Sequence, residues 1–113
     1  MKIVSRKVLL TLPRNTLYTV YDPILMEGLY VKQNTTDDGH DFFYDDLIYC
    51  VKANSSEEVW DILDKAEKTG TSFEIDLNYT AREGHARNQD ELLYIVWEKE
   101  DIKKLIKKLE TCL

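Results

Sequence analysis

Only two cysteines, two prolines, four glycines and two histidines occur in this 113-residue chain, and each scarcity excludes something. Cys50 and Cys112 are too few for the disulfide framework of a small secreted domain, so two reduced thiols in a cytoplasmic protein are expected. Glycines at 28, 39, 70 and 84 are far apart, which leaves no Gly-rich cradle for a nucleotide phosphate. No Gly-x-Ser-x-Gly elbow occurs, and no His-x-x-x-His or paired-Cys spacing for zinc. No apolar run approaches the roughly 20 residues that span a bilayer. The start, MKIVSRKVLLTLPR, has only the short patch Val8-Leu9-Leu10 and no small-residue cleavage site, which argues against a secretory signal. Three N-x-S/T sequons, at Asn34, Asn54 and Asn78, carry no meaning without secretion.

What is present is charge, and it is unevenly placed. The chain is 43% hydrophobic and 32% charged, with a formal net charge of −6. Residues 1–21 hold four bases and no acid, 22–64 hold eleven acids against two lysines, and 65–113 are nearly balanced. Five acids fall within ten positions: Asp37, Asp38, Asp41, Asp45 and Asp46. Such a block repels phosphate and attracts basic surfaces, so a protein partner is expected rather than directly bound nucleic acid. The plainer alternative is a solvated loop that keeps the chain soluble. As a calcium loop the segment fails. With Gly39 at the sixth position, Asn34, Phe42 and Asp45 fall at the first, ninth and twelfth, all poor ligands there, and the flanks read as extended. No metal and no cofactor is expected.

The periodicities predict an α+β fold on a single domain over 1–113. A mostly antiparallel sheet of four to six strands should carry two helices packed on one face, with several strands followed by β-α-β-β-α. Strands are expected at 2–12, closed by Pro13, at 15–21, at 29–32 and at 42–53. Asp22-Pro23 and Gly28 read as interruptions. Ser55-Ser56-Glu57-Glu58 is a capping box that opens a helix with Val59, Ile62, Leu63 and Ala66 in one stripe, stopped by Gly70. Phe73, Ile75, Leu77 and Tyr79 alternate with polar residues, as in a strand with one wet face. Residues 92–97 suggest a more central strand. A last helix starts near Glu100-Asp101, with Ile102, Leu105, Ile106 and Leu109 on one face and Lys103, Lys104, Lys107 and Lys108 on the other. Its stripe is short and lacks aromatics, which argues against membrane association.

Two constellations compete for function. Phe42 and Tyr44 stand among Asp37, Asp38, Asp41, Asp45 and Asp46, an arrangement of aromatic anchor and steering charge suited to a basic protein surface. The alternative for the tyrosines is structural, with Tyr49, Tyr79 and Tyr94 in the core. The second constellation is the loop Arg82-Glu83-Gly84-His85-Ala86-Arg87. Arg82 and Arg87 are suited to a phosphate, with His85 as general acid or base and His40 as a possible second histidine. The first implies a small acidic binding protein that inhibits or regulates a partner by occluding a basic surface. In general character it is similar to immunity proteins, antitoxins and anti-defence proteins, an analogy of composition alone. The second implies a small phosphodiesterase, ribonuclease or nucleotide binder. A third reading is a structural subunit that self-assembles through a sheet edge, and a homodimer is compatible with either binding reading.

Overall fold

The structure is a computed structural model that describes residues 1–84 and 92–113. It contains β1 (Lys2–Ser5), α1 (Arg6–Thr11), β2 (Thr16–Asp22), β3 (Leu25–Thr35), β4 (Phe42–Asp46), α2 (Ser56–Thr69), β5 (Thr80–Arg82), β6 (Leu93–Val96) and α3 (Lys99–Glu110). The strands form one antiparallel sheet in the order β1-β6-β2-β3-β4-β5, so the fold is α+β as the periodicities predict. No helix among the described residues is long and apolar enough to cross a membrane.

The largest correction lies at the start. The expected strand over 2–12 stops at Ser5, whose hydroxyl accepts a hydrogen bond from the Val8 N–H and caps α1. The run Val8-Leu9-Leu10 is too short for its period to separate strand from buried helix. Here it is helix, and Leu9 is fully buried at the centre of the core.

Asp22-Pro23 interrupts the chain as expected: β2 ends at Asp22, which pairs with Leu25 across the tip of the β2–β3 hairpin. Ile24 adopts φ 64° there, a left-handed conformation that costs a β-branched residue about 1–2 kcal/mol. Gly28, expected to break the chain before a short strand at 29–32, instead lies inside the longer β3. At φ 76° it sits where the register slips between Tyr18 and Val20, a bulge the strand passes through, and the Tyr30 ring occupies the space a side chain would need.

Aromatic packing builds the core. Tyr18 stacks on Tyr30 at 5.2 Å and meets Phe42 and Tyr94 edge-on at 6.0 and 5.7 Å. These geometries suit the ring quadrupole. Of the three tyrosines assigned to the core by the structural reading, only Tyr94 is there; Tyr49 and Tyr79 are well exposed.

The other long strands are shorter than expected. β4 ends at Asp46 because its carboxylate accepts from the Ile48 and Tyr49 N–H groups, both at 2.9 Å, and turns the chain. The alternating segment from Phe73 gives a single bridge, Val51 to Ile75, before β5 begins at Thr80. Alternation alone does not make a strand; a partner must be present on the side that pairs.

α2 matches its signals. Ser55 accepts from the Glu58 N–H, and Gly70 ends the helix at φ 69°. α3 begins at Lys99, with Asp101 accepting from the Glu98 N–H. Neither helix fully buries a residue, and the core is closed by α1 rather than by these two. Ile106 remains 51% exposed. Ile106→Ala should therefore change the unfolding free energy by less than about 1 kcal/mol, far below a core truncation, in a urea titration.

Candidate functional site

The acidic segment divides into three parts once folded. Asp41 and Asp45 turn inward. Asp41 accepts from Arg82 Nε at 2.6 Å, from the Phe42 and Gly84 N–H groups, and from Arg6 Nη2 at 3.4 Å. Arg6, itself buried, also pairs with Glu83 at 3.0 Å and donates to the His40 carbonyl. Asp45 accepts from Gln33 Nε2 and the Thr80 hydroxyl. These carboxylates join β3, β4, β5 and α1 to one another. Phe42, fully buried, has two cations over its ring: Arg6 Cζ is 5.7 Å from the ring centre and Lys32 Nζ 6.0 Å. Lys32 donates to the carbonyls of Leu12 and Gln33, and burial pulls its pKa down. Asp41, Phe42 and Asp45 therefore serve the fold and present no surface to a partner, although the sequence placed them with the anchor.

Asp37 and Asp38 are exposed on the turn between β3 and β4. Asp38 accepts from the Thr36 hydroxyl and the His40 N–H. Tyr44 and Asp46, both half-buried, face elsewhere: they line a cleft. In the rival constellation Arg82 is bound to Asp41 through Nε, and His40 stands in the same turn as Asp38. His85 and Arg87 lie outside the described residues. Among the described residues no group of three or more His, Cys, Asp or Glu side chains is placed to hold a metal ion.

Burial alone would raise the pKa of Asp41. The hydrogen bonds from Arg82, Phe42 and Gly84 outweigh it and hold the carboxyl below the usual range. Because the folded value is depressed, this stabilisation is complete above the ordinary carboxylate pKa of about 4 and is lost as pH falls through the folded value. The unfolding free energy should decline on acidification below about pH 4, and Asp41→Asn should flatten that decline. Denaturant titrations at a series of pH values give the measurement.

The cleft occupies about 360 Å³ between β4, β5, the 49–56 segment and the start of α2. Tyr44, Tyr49 and Tyr79 wall it, with Asp46 and Asp76 on its lining, and no lysine or arginine among the described residues lines it. The two carboxylates close local turns through Oδ1, to Ile48 and Tyr49 in one case and to Asn78 in the other. α2 points its N-terminus here, but its cap consumes donors: Ser55 takes the Glu58 N–H and Glu58 takes the Asn54 N–H. Aromatic faces beside carboxylates attract lysine and arginine through the ring quadrupole and through charge. A second cleft, between α2 and residues 71–74, holds Lys52, Lys65, Glu58 and Glu74. Lys52 pairs with Glu74 at 3.3 Å there, so this cleft carries no charge preference.

Sequence reasoning missed Tyr49, Tyr79 and Asp76, which come from segments separated by α2. The available signal was the surplus of seven tyrosines in an acidic chain. Compared with protein-family models, with curated proteins and with solved structures, the chain matches none.

Proposed function

We propose that this protein is an acidic binding module that inhibits or regulates a partner protein by occluding a basic surface. The tyrosine cleft is its anchor site. One observation carries the reading: three tyrosines and two aspartates line a cleft that holds no basic residue among those described. Tyrosine offers a large contact area at little entropic cost, and the carboxylates select a cation. Asp37 and Asp38 remain exposed for long-range steering, in a chain of net charge −6. A cytoplasmic role of the immunity, antitoxin or anti-defence kind is compatible with two free thiols. The phosphodiester reading is less well supported, since Arg82, which it requires for phosphate, is already held by the Asp41 carboxylate.

The test is capture of basic proteins from the native host, followed by binding measurements on the purified partner. Tyr49→Ala and Tyr79→Ala should each weaken binding by on the order of thirtyfold, about 2 kcal/mol, with the fold intact. Asp37→Asn with Asp38→Asn should slow association at low salt and leave dissociation unchanged. A partner that binds both tyrosine variants as tightly as the wild type would overturn the assignment of the site.

A further inference from the structure

α3 is the complement of the cleft. From Ile102 to Leu109 it carries Lys103, Lys104, Lys107 and Lys108 and no acid. Its stripe is uncovered toward the C-terminus, where Ile106 and Leu109 are each more than half exposed and Leu113 fully so. Residues 46–79, which include the cleft wall and α2, carry eight carboxylates against three lysines. Two amphipathic surfaces of opposite sign thus coexist on one chain, and both are open.

They do not meet within that chain. No residue of α3 lines the cleft. The helix follows β6, and the Met1 amino group pins its first turn through Glu98 at 2.9 Å and Asp101 at 2.6 Å, beside β1. The cleft lies at β4 and β5, at the other end of the sheet order. With strands about 4.8 Å apart, β1 and β5 are separated by about 24 Å.

We propose that the cleft of one molecule receives α3 of a second copy. Ile106 and Leu109 pack against Tyr49 and Tyr79, and Lys103 and Lys107, on the flank of the stripe beside Ile106, reach to Asp46, Asp76 and the carboxylates of α2. This inference rests on the reading of the cleft as a site for basic segments and names the first such segment available to it. Two reciprocal contacts close a symmetric dimer, whereas a single repeated contact gives a head-to-tail chain. In either arrangement the copy occupies the anchor site and competes with a heterologous basic partner, so a concentrated protein masks its own cleft.

Sedimentation velocity over a concentration series tests this. Wild type should self-associate. Lys103→Glu with Lys107→Glu removes the helix charge and keeps the cleft; Tyr49→Ala with Tyr79→Ala removes the cleft and keeps the helix. All four side chains are exposed, so both variants should fold. Each variant alone should associate at least about tenfold more weakly than wild type, and an equimolar mixture should recover a heterodimer, since one member supplies an intact cleft and the other an intact helix. Wild type that stays monomeric up to about 1 mM, or a mixture that recovers nothing, overturns the inference. A fluorescein-labelled leucine–lysine peptide added to the lysine variant separates the two levels. If it binds while wild type does not self-associate, only the role of α3 fails. If it does not bind that variant, the reading of the cleft fails with it.

Discussion

Arg6→Met should lower the unfolding free energy by roughly 3–5 kcal/mol, a large share of the stability of a domain this size, because it removes the cation from a buried pair and leaves carboxylates behind. Arg6 is 4% exposed and holds Asp41, Glu83 and the His40 carbonyl together. Methionine fills much of the same volume, so the loss measures charge rather than cavity. Chemical denaturation reads it directly, and acid should discriminate the variant from wild type. As pH falls through the depressed pKa of Asp41, its carboxyl gains a proton, the ion pair is lost in the wild type too, and the difference should narrow. A loss under about 1 kcal/mol at neutral pH would mean that water replaces the guanidinium at little cost.

Phe42→Ala should cost a similar amount, roughly 3–5 kcal/mol, through a cavity at the centre of the aromatic cluster. Phe42 is fully buried, lies edge-on to Tyr18 and has Arg6 and Lys32 beside its ring. Truncation therefore removes packing and also the face against which two buried cations rest. The sequence places Phe42 among the anchors of a partner surface, and the two roles give opposite results. A structural Phe42 lowers the denaturation midpoint; an anchor at the surface would leave the midpoint in place and weaken binding. Steering variants should for the same reason avoid Asp41 and Asp45, whose replacement tests folding before it tests association.

Legibility in the sequence followed the range of each signal. The cap of α2 is local: Ser55, Glu58 and Gly70 lie within one helix, and the structure places all three as expected. The α1 helix was hidden because Val8-Leu9-Leu10 carries no period, and Ser5 lacks the acidic residue three positions later that completes a capping box. Phe73 to Tyr79 alternates as a strand does, yet pairing depends on distant segments, and only Ile75 finds a bridge. The inward turn of Asp41 and Asp45 was legible only as an imbalance, with four bases and no acid in the first 21 residues facing an acidic middle. Arg6 meeting Asp41 is what that imbalance becomes in three dimensions. The cleft needed the fold itself, because Tyr44, Tyr49 and Tyr79 converge only when β5 pairs with β4.

The central claim is that the tyrosine cleft binds a basic segment, and amide chemical shifts of the isotope-labelled protein titrated with a leucine–lysine peptide test it most directly. To keep self-association out of the titration, the Lys103→Glu, Lys107→Glu variant is the protein to label. Shifts should concentrate at Tyr44, Asp46, Tyr49, Cys50, Asp76 and Tyr79, weaken as salt rises toward a Debye length of about 3 Å at 1 M, and vanish in Tyr49→Ala with Tyr79→Ala. Shifts confined to the Thr36–His40 turn, or spread evenly over the acidic surface, would contradict it.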